Sequence, residues 1–237
     1  MKDFTPFETW HISGRTIAVH RGLDPKQANA HYDGGNLCCS VASNLAADAK
    51  TGVLTVAWCD DSDRANGVMV QTVNPVDGTS SGKRSMLAGS ATPNEGRARR
   101  KCDANHRTAI VARHGGGVFV AAPAGYPKAS SVLVWRLGTR NPLVLDRNAD
   151  EDGLVSLAAD RFGRVWVAWY NSGKQSIEIR HSDATGKAFG SPMSLPIPGN
   201  TSGIFDLALS PGASGVDVFL FRIGLDATYA FFHTNVS

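Results

Sequence analysis

Three features of the sequence predict an all-β fold, a β-propeller of four-stranded antiparallel blades. A motif recurs at roughly blade-length spacing, turn-forming residues are spread along the whole chain, and no dozen-residue stretch carries convincing helical periodicity. The 25 glycines and 11 prolines suit many short strands joined by many turns. With 42% hydrophobic and 19% charged residues, the 237-residue chain reads as globular and long enough for a sizeable core.

The repeat is clearest in two copies. Leu45-Ala46-Ala47-Asp48 recurs as Leu157-Ala158-Ala159-Asp160, each followed by a glycine, Gly52 or Gly163. Each then enters a strand ending Val-Ala-Trp, at Trp58 and at Trp169, 111 residues apart. Between them, Ala109 to Ala112 leads through Gly115-Gly116-Gly117 to Val118–Ala122. A fourth copy runs from Phe205 through Gly215 to Phe221. Aligned on the end of the second strand, the steps are 64, 47 and 52 residues. Blades run at about 40–50 residues, and the loop from Pro93 to Ala104 absorbs the long step.

Third strands follow at 68–73, 132–137, 176–181 and 228–233, and fourth strands near 85–87, 143–145 and 193–195. The second strands are apolar on both faces, as expected of strands buried between neighbouring sheets. Trp58, Trp135, Trp166 and Trp169 fall at strand positions and read as core. The N-terminus supplies a half-blade: Phe7 to Ile12, a turn at Ser13-Gly14, then Thr16 to His20. The expected organisation is one propeller domain with a half-blade at 1–35, blades at 36–92, 105–147 and 153–197, and a partial blade at 203–237. It is either an arc of a larger ring, completed in one reading by further copies in a homo-oligomer, or a ring closed by pairing the N-terminal strand into the last blade.

The segment 154–195 carries Ser182-Asp183-Ala184-Thr185-Gly186-Lys187-Ala188-Phe189 between its third and fourth strands. Over roughly residues 36–237, and best on this segment, the chain resembles the sialidase-like propeller superfamily with BNR (Asp-box) repeats. Ser182 and Gly186 fit the S-x-D-x-G-x-T-W pattern, Asp183 stands one place early, and Phe189 replaces the tryptophan. The resemblance implies a structural turn at this position. It also implies, for catalytic members, an arginine triad, a tyrosine nucleophile and an aspartate acid/base. The N-terminal Arg-Ile-Pro motif of that family is absent; the nearest counterpart, Phe221-Arg222-Ile223-Gly224, stands in the fourth copy.

Propeller geometry sorts the loops. Connections from strand two to three and from strand four to the next blade emerge on one face, and here those connections hold the unusual residues. Candidate ligand-binding residues are His31, Tyr32 and Asp33; Asp60, Asp61 and Arg64 after Trp58; Arg97 and Arg99; and Tyr126 and Tyr170 on equivalent connections. The cluster Asp60, Asp61 and Asp63 suits either calcium through oxygen ligands or a solvated turn. No other cofactor is indicated, and no metal ligand set is assigned. The arginines suit a carboxylate, sulfate or phosphate. Tyr126 and Tyr170 suit either stacking on a sugar or capping the core with wet hydroxyls.

A formal charge of +3 gives no basic face for nucleic acid, and no run of about 18 apolar residues marks a membrane span. No apolar signal segment stands at the N-terminus, which suits a cytosolic chain or a mature form; the expected location is extracellular or secreted. Cys38, Cys39, Cys59 and Cys102 fit no zinc pattern; a Cys39–Cys59 disulfide and free buried thiols are both open. The leading functional reading is a binding module for a glycan or other polar ligand on the loop-rich face. The alternatives are an exo-sialidase-type glycoside hydrolase using a carboxylate such as Asp33 or Asp61, and a protein-interaction scaffold; whether the chain is an enzyme is open.

Overall fold

The fold comes from a computed structural model, which describes residues 10–12, 15–17, 45–62, 65–90, 108–124, 131–147, 154–197, 201–224 and 229–237. It is all-β, with no helix among the described residues. Blade 1 comprises β3 (Leu45–Ala47), β4 (Leu54–Ser62), β5 (Ala65–Val73) and β6 (Ser85–Met86). Blade 2 comprises β7 (Ala109–Ala112), β8 (Val118–Ala124), β9 (Ser131–Arg136) and β10 (Leu143–Asp146). Blade 3 comprises β11 (Val155–Ala159), β12 (Val165–Asn171), β13 (Ser176–His181) and β14 (Met193–Pro196). Blade 4 has three strands, β15 (Thr201–Pro211), β16 (Val216–Gly224) and β17 (Tyr229–Val236). A separate hairpin joins β1 (Trp10–Ile12) to β2 (Arg15–Ile17). Within each blade, consecutive strands pair antiparallel in chain order.

The blades pack side by side through their first strands, β3 on β7, β7 on β11 and β11 on β15. Alternation along the second strands explains why. All seven residues of β12 are buried, because each face meets a different blade. Val165, Val167 and Trp169 pack with Phe119, Ala121 and Val134 of blade 2. Trp166, Ala168 and Tyr170 pack with Val218 and Leu220 of blade 4. Period-two geometry thus turns one apolar strand into two half-cores. Blades 1 and 2 are joined in the same way by Ala57, Val68, Val70, Val120, Leu133 and Trp135. The four strand tryptophans are all core residues, none more than 2% exposed.

The recurring Leu-Ala-Ala-Asp segments are first strands that end in an aspartate-capped turn. Asp48 Oδ1 accepts the N–H groups of Lys50 and Thr51 at 2.8 and 3.0 Å. Asp160 Oδ1 accepts those of Phe162 and Arg164 at 2.9 and 3.0 Å. The glycine of each copy takes a left-handed conformation, with φ of 72° at Gly52 and 79° at Gly163, which a side chain disfavours.

One expectation is corrected. The stretch after Trp58 was expected to leave the sheet as a loop, yet β4 and β5 continue as a long hairpin. Asp60 pairs with Gly67 and Asp61 with Asn66 in the ladder, so both are strand positions. The N-terminal strand was one candidate for closing the ring. Among the described residues β2 pairs with β1 and β17 with β16; residues 18–20 of the candidate closing strand lie outside the described residues, so the arc and the closed ring both stand. The Cys39–Cys59 question lies outside the described residues, as do Cys38, Cys39 and Cys102.

The far face of blade 4 differs from its counterparts. Ala57, Ala121 and Ala168 each lie under the next blade and are 0% exposed. Phe219 holds the corresponding place and is 44% exposed, stacked on the His233 ring at 4.8 Å. His233 Nε2 lies 3.1 Å from Asp217 Oδ1, which also accepts from Asn235 Nδ2 at 3.0 Å. Phe219→Ala is expected to change unfolding free energy by less than about 1 kcal/mol, as for an open surface position. A loss above about 2 kcal/mol in urea unfolding would show that this face is covered in solution.

Candidate functional site

Of the residues singled out on the loop-rich face, the structure describes few. His31, Tyr32, Asp33, Arg64, Arg97, Arg99 and Tyr126 lie outside the described residues. Asp60 and Asp61 are described only as strand positions. Tyr170 is described fully and is 4% exposed, inside the core between blades 3 and 4. Its hydroxyl oxygen accepts from Gln175 Nε2 at 3.1 Å. Of its two sequence readings, the core-capping one matches this placement, because a ring enclosed on both sides offers no face to a sugar.

The opposite end of the wheel, where strands one to two and three to four turn, is built from cross-blade hydrogen bonds. Asp48 Oδ2 of blade 1 accepts from Gly117 N of blade 2 at 2.6 Å. Arg113 Nη1 of blade 2 donates to Ala184 O of blade 3 at 2.6 Å. Arg164 Nη2 of blade 3 donates to Ser214 O of blade 4 at 3.0 Å. Burial opposes the charge on Asp48, but the N–H groups of Gly117, Thr51 and Lys50 outweigh it, and its carboxyl sits below the ordinary carboxylate value. At Asp160 burial is likewise outweighed, first by the Trp166 indole N–H and then by Arg164, with the same net direction.

The turn from Ser182 to Phe189 belongs to this framework. Ser182 is fully buried and its Oγ accepts from Val165 N at 2.8 Å. Asp183 Oδ1 accepts from Thr185 N, Thr185 Oγ1 and Lys187 N at 2.8–3.0 Å. A Cβ on Gly186 would stand 2.6 Å from Phe119 Cζ of blade 2, so the turn docks where only glycine fits. Every one of these contacts is structural. Glu178, a buried carboxylate, is also absorbed: its Oε1 accepts the hydroxyls of Ser176 and Ser194, both at 2.8 Å.

A cleft of about 380 Å³ opens between blades 1 and 2 at this same end. One wall is the segment from Lys83 to Ala88, which contains the two-residue strand β6. The other is the β9–β10 turn, with Leu137, Gly138, Thr139 and Arg140. Thr55, Val70, Gln71, Thr72 and Trp135 form the floor. The wall is held firmly. Gln71 Nε2 donates to Gly82 O at 2.8 Å, and Ser81 N to Thr72 O at 3.0 Å. The buried Ser90 hydroxyl donates to Leu87 O at 2.7 Å and accepts from Val68 N at 3.0 Å. Trp135 Nε1 of blade 2 donates to Ala88 O of blade 1 at 2.8 Å, so it ties the seam beneath the cleft.

The described lining carries two cations, Lys83 and Arg140, several hydroxyls and an apolar patch of Met86, Leu87 and Leu137, and no carboxylate. The sequence alone did not reveal this site, because its residues lie on short turns and the longer connections hold the more unusual side chains. The available signal was a lysine and an arginine on the three-to-four turns of neighbouring blades. A second, smaller cleft of about 260 Å³ between blades 3 and 4 is mostly apolar, lined by Ile177, Leu195, Val218, Leu220 and Phe232 among others.

No protein-family model matches the sequence, and no curated protein matches it. Solved structures do. A triple arginine-to-alanine mutant of AofleA from Arthrobotrys oligospora aligns over 81% of this chain and 53% of its own, at 14% identity and a TM-score of 0.51. An endo-arabinase from Bacteroides thetaiotaomicron aligns over 80% and 72%, at 14% identity and a TM-score of 0.42. An exo-arabinanase from a bovine ruminal metagenomic library aligns over 78% and 70%, at 10% identity and 0.42. The chain spans about half the length of AofleA. At such identity the AofleA likeness speaks to architecture alone, and the strand order and blade packing give that architecture: the chain has a β-propeller fold.

Proposed function

We propose that the protein is a ligand-binding propeller module that takes a saccharide in the cleft between blades 1 and 2. The observation that carries this is the mixed lining of that cleft. Hydroxyl and cationic groups at Thr72, Lys83, Ser85 and Arg140 sit beside the apolar Met86, Leu87 and Leu137. A sugar presents the same combination, hydroxyls at its edges and C–H groups on its faces. The volume lies within the range of about 300–1,000 Å³ typical of small-ligand sites, and the hydrogen bonds under the walls preorganise it. Glycoside cleavage calls for a pair of carboxylates about 5–10 Å apart, and the described lining supplies none; a binding role needs only what is present.

The test is a glycan array followed by titration of any hit against Ser85→Trp, which fills the cleft from an exposed position. Affinity is expected to fall at least about tenfold, or about 1.4 kcal/mol, while the melting temperature holds. Unchanged affinity in Ser85→Trp, with loss in Tyr126→Ala, would move the site to the loop-rich face. Silence across the array would remove the saccharide reading.

A further inference from the structure

We infer that the cleft between blades 1 and 2 selects an acidic saccharide, one carrying a carboxylate or sulfate, through Lys83 and Arg140; this rests on the saccharide-binding reading above. The two cations come from different blades. Lys83 stands on the wall that leads into β6, and Arg140 on the β9–β10 turn facing it across the seam. Among the described residues neither forms an ion pair or a side-chain hydrogen bond. Three other arginines at this end are spent on the framework: Arg113 on Ala184 O, Arg136 on Thr185 O and Arg164 on Asp160. Two like charges in one concavity repel each other and hold the local potential positive. An anion placed between them removes that repulsion and accepts from both, Arg140 offering a planar fork and Lys83 a point charge.

The framework fixes the backbone segments that carry the pair. Trp135 Nε1 bonded to Ala88 O couples the wall bearing Lys83 to the strand that runs into the Arg140 turn. The two turns therefore do not have to be brought together when a ligand arrives, and only the two side chains are ordered on binding. Both residues are exposed, so the attraction is screened by salt and weakens as the Debye length shortens to about 8 Å at physiological ionic strength.

The experiment titrates the full chain with three matched probes, glucose, glucuronate and a sulfated glucose, followed by ¹H–¹⁵N NMR at low and physiological salt. Either acidic probe, or both, is expected to bind at least about tenfold more tightly than glucose, with shifts at Ser85, Gly138 and Thr139. The two acidic arms distinguish carboxylate from sulfate. In the double variant Lys83→Gln/Arg140→Gln that preference is expected to fall to about one, with the melting temperature unchanged. Equal binding of all three probes at the cleft would overturn the acidic selection and leave the saccharide reading standing. An acidic preference that survives in the double variant would also overturn it, because the anion would then sit elsewhere. Absence of any shift at the cleft with all three probes would overturn both.

Discussion

Trp166→Ala is expected to lower unfolding free energy by about 3–5 kcal/mol, the range for deleting a large buried aromatic. Trp166 is 0% exposed and stands at the centre of the core between blades 3 and 4, with Ala168, Ile179 and Val218 in the same cluster. The neighbours are strand residues held by ladders on both sides, so the cavity cannot close by local collapse. The indole is also a hydrogen-bond donor, with Nε1 donating to Asp160 Oδ2 at 2.9 Å. Trp166→Phe separates packing from hydrogen bonding, since it keeps most of the first and loses the second; it is expected to cost about 1–2 kcal/mol. Urea unfolding with an unchanged m-value is the measurement. A loss below about 1.5 kcal/mol in Trp166→Ala would mean that the interface between blades 3 and 4 is not a packed core.

Asp160→Ala is expected to cost about 3 kcal/mol. Asp160 is 1% exposed, and its two oxygens accept from the Trp166 indole, the Arg164 guanidinium at 2.6 Å and the backbone N–H groups of Phe162 and Arg164. Alanine leaves a buried indole N–H and two turn amides without an acceptor. It also frees Arg164, which donates to Ser214 O of blade 4, so the effect reaches the seam between blades. The carboxyl lies below its ordinary value in the folded chain, whereas the unfolded chain titrates near the ordinary value of about 3.9. Between those two values the unfolded state binds more protons, so stability rises with pH there. The contribution of Asp160 is complete above about pH 4 and is lost as pH falls through the folded value. Asp48, shifted in the same direction, adds to the same limb. Stability measured against pH is expected to fall less steeply below about pH 4 in Asp160→Ala than in the parent chain. An unchanged acid limb together with a loss under about 1 kcal/mol would show that Asp160 does not organise the turn.

Both predictions concern features that were partly legible from residue order. The repeated aspartate after Leu-Ala-Ala and the glycine beyond it marked a turn, because an acceptor side chain and a left-handed residue are local requirements. The second strands were legible because an unbroken apolar run, as from Val165 to Tyr170 before Asn171, suits burial on both faces. The tryptophans were correctly placed in the core for the same reason. Strand ends were less legible: Asp60 and Asp61 look like loop residues by composition, yet pairing with Gly67 and Asn66 carries β4 past them. Cross-strand partners outweigh a residue's own preference at such positions.

The cleft was decided by tertiary structure. Lys83 and Arg140 are 57 positions apart in the chain and belong to different sheets; nothing in the order of residues near either one says that they share a concavity. Their proximity follows from the packing of one blade on the next, across a seam that the Trp135 and Asp48 side chains bridge to backbone groups. What residue order alone determined was the repeating strand pattern and the all-β class, since two-residue periodicity and turn chemistry act over a few neighbours. Which turns meet, and what charge they bring together, depends on packing between sheets, a property that local sequence does not encode.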